Sequence, residues 1–215
     1  MAKLQGAFQQ HWVRGTGETI SGASDFPPLP PAGKLRTQLI ASHSFSISPI
    51  SLVQAVAFAS AEKTIFITNA YCAPSRNQVK LLTAAAARGV DVRLLVPGRH
   101  NDQPMTKSAG RGAYGDLLEG GVKIYEFEST MIHSKTLVVD GTFSMFGSSN
   151  FDARSAQINE ELDITVDDEG FGAEMDAVFQ RDLQRSKPYR LEDFKKRSAW
   201  ERFSEWIVAP LAPLL

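Results

Sequence analysis

The sequence runs to 215 residues, is 43% hydrophobic and carries a formal net charge of -1. It is long enough to bury one sizeable core, and it lacks the global basic field expected of a nucleic-acid binder. Its single cysteine, Cys72, excludes an internal disulfide and agrees with a reducing compartment. Met1 to Gly15 is too polar for a secretory signal, and the longest apolar run, Ile50 to Ala61, is too short to span a bilayer.

Taken in order, residues 2 to 14 predict a short helix, with Leu4, Phe8 and Trp12 at helical spacing. Gly15 to Gly33 reads as a linker rich in Gly and Pro. Leu35 to Ser42 predicts a strand and Pro49 to Glu62 a helix. Thr64 to Tyr71 is an apolar β-type run, and Ser75 to Arg88 an Ala-rich helix closed by Gly89. Val90 to Val96 is the next strand. Met105 to Glu119 predicts one helix, and Val122 to Phe127 a further strand. Alternating strands and helices over residues 35 to 127 predict an α/β (mixed α+β) fold, a mixed sheet flanked by helices on both faces.

The stretch from Ile132 to Val139 is again β-type, and in a strand His133 and Lys135 would share one face. Asp140-Gly141 then signals a two-residue hairpin turn, and Phe143 to Phe146 the returning strand. Gly147-Ser148-Ser149-Asn150 follows, a small polar loop suited to holding an anion against backbone. Glu161 to Val166 predicts a strand and Gly170 to Ser186 a helix. The tail reads as helical to about Val208, with Pro210 and Pro213 stopping it.

The spaced string His133, Lys135, Asp140, Gly147, Ser148, Asn150 resembles the signature of the phospholipase D superfamily without a departure. Its continuation, Asn150, Asp152, Arg154, Ser155, Asn159 and Glu161, is similar to the cardiolipin synthase branch. The resemblance implies phosphodiester exchange through a phosphohistidine, with His133 as nucleophile and a second histidine from another copy of the motif as acid. It gives Lys135 the non-bridging oxygens, where charge builds in the transition state. Ser148, Asn150 and Gly147 would bind the same group, and Glu161 would orient the imidazole. It implies no metal or other cofactor.

The resemblance also implies an anionic phospholipid substrate, peripheral attachment at the cytoplasmic face of a membrane, and a homodimer or a partner half-domain that supplies the second histidine. Nucleic acid is not favoured. Residues 1–34 are expected to be the helix and linker that close a preceding catalytic half, and residues 35–215 the catalytic domain. The activity implied is phosphatidyl transfer of the cardiolipin synthase type. The alternatives are a one-motif homodimeric phosphodiesterase, nuclease or hydrolase, and an inactive lipid- or partner-binding half.

Some residues admit two readings. The superfamily counts Asp140 with the catalytic set, yet its odd separation from His133 and its Asp-Gly context favour a turn residue. Asp152 and Arg154 form either a local salt bridge or part of the site. The spacing selects Glu161 over Glu160. Tyr71 either lines the site or ends a core strand, where Asn69 replaces the branch's usual proline. Gly98 to Asp102 is either a head-group contact or a polar surface loop, with the loop slightly favoured. The aromatics of the tail, Trp200, Phe203 and Trp206, with basic residues before them, suit an anionic membrane surface. Closing the core is the favoured reading of that stripe.

Overall fold

The computed structural model describes residues 2–30, 32–44 and 48–208. Helix α1 (Ala2–Thr16) is followed by irregular chain up to strand β1 (Thr37–Ser42). Helix α2 (Pro49–Ser60) starts where the Ser48 hydroxyl accepts the Ser51 amide and Pro49 presets the first turn. Strands β2 (Thr64–Asn69) and β3 (Cys72–Ala73) precede α3 (Arg76–Ala87). Ser75 and Gln78 close a reciprocal capping box at the start of α3.

Strand β4 (Asp91–Pro97) leads to a departure from the predicted single helix. The segment is two helices, α4 (Pro104–Arg111) and α5 (Tyr114–Glu119). The glycines Gly110 and Gly112 weaken the helix at the break, and Gly110 lies so close to the Cys72 carbonyl that a Cβ there would collide with it. Strand β5 (Lys123–Phe127) follows, then the hairpin of β6 (Lys135–Val139) and β7 (Phe143–Gly147). A short β8 (Phe151–Asp152), helix α6 (Ala153–Gln157), strand β9 (Glu161–Asp167) and helix α7 (Glu169–Leu183) come next.

The tail departs further from expectation. Strand β10 (Ser186–Tyr189) precedes α8 (Leu191–Lys195) and α9 (Ala199–Val208). Pro188 lies in β10 and cannot serve a helix interior, whereas an edge strand tolerates it. Pro210 and Pro213 lie outside the described residues.

The main sheet runs β1-β9-β7-β6-β2-β4-β5-β10. Strands β2, β4 and β5 are parallel, and the other pairs are antiparallel. Side chains alternate along β2, and the two faces serve two cores. Ile65 and Ile67 join Phe58 of α2, Leu82 of α3 and Leu117 of α5. Phe66 stacks on Phe179 of α7, ring centroids 4.7 Å apart, beside Leu95, Phe127 and Ile132. A strand apolar on both faces is what burial under helices on both sides requires. The sheet therefore holds the ends of β2, β6 and β7 rigidly at one rim, where the motif residues gather.

Candidate active site

His133 lies in the loop before β6, and Lys135 is the first residue of that strand rather than its middle. The expected pairing nonetheless forms. Lys135 Nζ is 3.3 Å from His133 Nδ1 and 3.5 Å from Nε2, and it donates to the His133 carbonyl at 3.1 Å. Tyr71 meets the imidazole edge-on, centroids 5.4 Å apart, and the ammonium lies 5.5 Å from the centre of its ring. The Tyr71 hydroxyl donates to the Asp102 carboxylate at 2.9 Å. The structure thus brings Tyr71 beside His133 and Lys135, with Asp102 of the loop Gly98 to Asp102 holding its hydroxyl.

His133 is exposed and Lys135 half-buried. Desolvation lowers the Lys135 pKa, opposed by the carboxylates of Glu161, Asp152, Asp102 and Asp163. Three of these, Glu161, Asp152 and Asp163, are buried. The rim thus holds one cation over a buried acidic layer.

The loop Gly147 to Asn150 corrects the expectation that backbone would hold an anion. The amide of Ser148 donates to the Leu162 carbonyl, that of Ser149 to Asp163 Oδ1, and that of Asn150 to Ser155 Oγ. The Phe151 amide donates to Asn69 Oδ1. With those donors engaged internally, an anion must be met by side chains. Gly147 has a packing reason to be glycine: a Cβ there would collide with the Asp163 carboxylate and the Leu162 carbonyl.

Ser148 is also engaged. Its hydroxyl donates to Glu161 Oε2 at 2.5 Å and accepts the Leu162 amide at 3.0 Å. A hydroxyl has one proton, so Ser148 cannot give it to a substrate while it holds Glu161. Asn150 keeps a buried Oδ1 without a partner among the described residues, an acceptor for a further donor.

Glu161 was expected to orient the imidazole. Its described partners are Ser148, Ser155 at 2.8 Å and Asn159 at 3.1 Å, and His133 is not among them. The carboxylate ties the loop to β9. Glu160 points elsewhere, pairing with His11 at 2.5 Å and Arg14 at 2.8 Å on α1. Asp152 and Arg154 do not form the salt bridge that one of the two readings offered. Asp152 caps α6 by accepting the Ser155 amide at 2.7 Å, and Arg154 reaches Asn159 at 3.3 Å. Burial raises the Asp152 pKa to about 6, against the Ser155 hydrogen bonds.

Asp140 lies at the other end of β6. Its carboxylate accepts the amides of Glu62 at 2.9 Å, Lys63 at 2.7 Å and Thr64 at 2.8 Å. It clamps the entry to β2, at the end of β6 away from Lys135. Both Asp140 and Gly141 adopt left-handed backbone, φ +54° and +67°, although three residues, not two, separate the paired Val139 and Phe143.

Sequence reasoning missed Asn69. Its side chain accepts the Tyr71 and Phe151 amides at 3.2 and 3.1 Å and reaches the Ser149 carbonyl at 3.5 Å. One amide thereby joins the end of β2 to the motif loop. Its only signal was the departure from proline, which offers no such side chain. Among the described residues no group of three His, Cys, Asp or Glu side chains is placed to hold a metal.

Comparisons with known proteins supply relatives for the chain. A family model described as "Cardiolipin synthase, PLD-like domain" matches residues 55–183, a span containing every motif residue from Tyr71 to Glu161. Cardiolipin synthase A of Yersinia pseudotuberculosis serotype O:1b (strain IP 31758) is 36% identical over 213 residues, 95% of this chain and 43% of that protein. Cardiolipin synthase A of Serratia proteamaculans (strain 568) is 37% identical over 156 residues, 73% of this chain and 32% of that protein. The chain thus spans less than half the length of these curated relatives.

Among solved structures, the phospholipase D family member Nuc from Salmonella typhimurium has a TM-score of 0.62 at 24% identity, covering 73% of this chain and 99% of that one. Phosphatidylserine synthase from Haemophilus influenzae Rd KW20 has a TM-score of 0.66 at 12% identity, covering 95% and 50%. These two establish a shared fold.

Proposed function

The chain belongs to the cardiolipin synthase family of phospholipase D-like domains, and on that premise we propose that His133 is the nucleophile of a phosphatidyl transfer. The observation that carries the reading is the exposed imidazole held 3.3 Å from the Lys135 ammonium at the rim of the sheet. A ring nitrogen attacks the phosphorus of an anionic phospholipid such as phosphatidylglycerol. The bond to the leaving glycerol breaks, and a phosphohistidine forms. Lys135 neutralises the non-bridging oxygens, and the Nδ2 amide group of Asn150 donates to them. An acceptor hydroxyl then attacks the phosphohistidine and restores the histidine. Two phosphatidylglycerols would give cardiolipin and glycerol, and the second hydroxyl proton balances the one taken up by the leaving group.

That leaving group needs a proton, and the single motif offers one histidine. We therefore propose that a second copy of the motif completes the site, from a dimer mate or a preceding half. The match to relatives more than twice its length supports taking residues 35–215 as the catalytic domain and 1–34 as belonging to the half before it. Ser148 and Glu161 act in this reading by fixing the loop. Action on a lipid places the domain against a membrane, at its cytoplasmic face. No helix of the described residues is long and apolar enough to cross one.

The test pairs sedimentation with conversion of phosphatidylglycerol vesicles. Formation of cardiolipin by a dimer, lost in His133→Ala, is the expected result, with a covalent phosphoryl label on the parent chain alone. Undiminished transfer by His133→Ala would sink the assignment. A monomer with full turnover would sink the requirement for a second motif.

A further inference from the structure

Helix α9 is amphipathic the wrong way round for a helix that closes a core. Trp200, Phe203, Trp206 and Ile207 recur at helical spacing and share one face. That face is the outer one. Trp200 is 74% exposed, Trp206 73%, Phe203 48% and Ile207 49%. The rings form a continuous ridge, with Trp200 and Phe203 centroids 5.8 Å apart and Phe203 and Trp206 6.3 Å apart.

The inner face carries the acids. Glu205 pairs with Arg197 at 2.6 Å, and Glu201 pairs with Arg111 of α4 at 3.3 Å. These ion pairs fix the helix with its aromatics turned outward. The orientation is held, not frayed.

The surroundings of the ridge select its occupant. Lys195, Lys196 and Arg202 are exposed beside it, and none has an ion-pair partner among the described residues. The acids Glu192 and Asp193 of α8 are exposed as well, but Glu201 and Glu205 are neutralised inward. Tryptophan prefers the boundary between head groups and acyl chains, and lysine and arginine prefer anionic head groups. We infer that the outer face of α9 is a membrane-docking ridge for anionic lipid bilayers. The ridge is built into the same block as the site, because α4 links Arg111 at its end to the loop whose Asp102 holds Tyr71.

The experiment reads binding, not turnover, so it can fail while the catalytic proposal stands. The 215-residue chain with Trp12→Phe leaves Trp200 and Trp206 as the only indoles. Its fluorescence should shift to the blue on phosphatidylglycerol vesicles, and brominated phosphatidylglycerol should quench it. Phosphatidylcholine vesicles should give neither effect. Trp200→Ser with Trp206→Ser should weaken vesicle co-sedimentation roughly tenfold or more. Leu52→Ser on the exposed face of α2 should leave it unchanged. Lys195→Gln with Lys196→Gln should weaken it less and remove its salt dependence. Unquenched indoles on anionic vesicles overturn the inference whatever the variants do. So does a chain whose self-association, not its vesicle binding, is abolished by the ridge variant.

Discussion

The two ends of strand β6 carry parts of one sequence signature and do unlike work. At its start, Lys135 stands beside His133 at an open rim, over the buried carboxylates of Glu161, Asp152 and Asp163. At its end, Asp140 turns its carboxylate onto the amides of Glu62, Lys63 and Thr64. Five residues at roughly 3.3 Å each put the two about 16 Å apart. The first end, the one proposed to react, holds a cation where desolvation disfavours it. The second is tuned for stability, with an anion held where amides favour it. A motif read as a string does not distinguish the two, but hydrogen-bond partners do.

Substitutions should therefore separate along the strand. Lys135→Met is expected to lower phosphatidyl transfer roughly 10³-fold, the scale of losing one charge-stabilising group. The melting temperature should hold or rise, since a partly desolvated ammonium is removed. Asp140→Ala should do the reverse. Losing a carboxylate that accepts three amides is expected to cost about 2 kcal/mol, discounted for its partial exposure, while activity per folded molecule stays near the parent's. Denaturant titration beside turnover on both variants decides it. A stable, inactive Asp140→Ala would return Asp140 to the site.

Acid sharpens the contrast, because the aspartates Asp140 and Asp152 respond with opposite sign. Burial alone would raise the Asp140 pKa, but the amides of Glu62, Thr64 and Lys63 outweigh it and hold the carboxyl below its usual range. Its contribution is present above the unfolded value, about 3.9, and is lost as pH falls through the depressed folded value. Asp152 is raised, by burial first, to about 6. Its contribution is fully present below about pH 3.9 and is lost as pH rises through about 6. Asp152→Asn keeps an acceptor for the Ser155 amide and should flatten the stability slope between about pH 4 and 6. The expected gain at pH 7 is about 1–2 kcal/mol, short of the full linkage because the neighbouring acids respond in turn. Unfolding free energies at pH 4 and 7 measure it, and an unchanged slope would place the buried titration elsewhere.

Much of this was legible beforehand because it is local. Periodicity, with Gly89 as an end signal, placed α2, α3 and the parallel strands. The spacing of His133 and Lys135 brought them together even though His133 lies outside the strand. What escaped depends on contacts distant in sequence. Asn69 matters because residues about 80 positions later bond to it. The internal engagement of amides 148 to 151 depends on β9, α6 and β2 folding around the loop. The tail was misjudged because an aromatic stripe predicts a buried face only if its opposite face can bear water. Here the acids of that opposite face find Arg111 and Arg197 inside, and the stripe turns outward.

The smallest expected effect tests how firmly the reactive end is preorganised. Tyr71 touches His133 with its ring and Asp102 with its hydroxyl. Burial and Asp102 raise its pKa, so the phenol stays protonated and donating through the neutral range. Tyr71→Phe keeps the edge-on contact and removes only the tether. An exposed hydrogen bond to a carboxylate is worth about 1 kcal/mol, so turnover should fall only about three- to fivefold, with the shape of the pH profile unchanged. Tyr71→Ala removes ring and tether together and should fall further, by about tenfold more. If the two variants lose equally, the tether carries the whole effect and the loop Gly98 to Asp102 positions the histidine. If Tyr71→Phe loses nothing, the ring packed on the imidazole suffices, and the reactive end is held by contacts as local as those that made it readable.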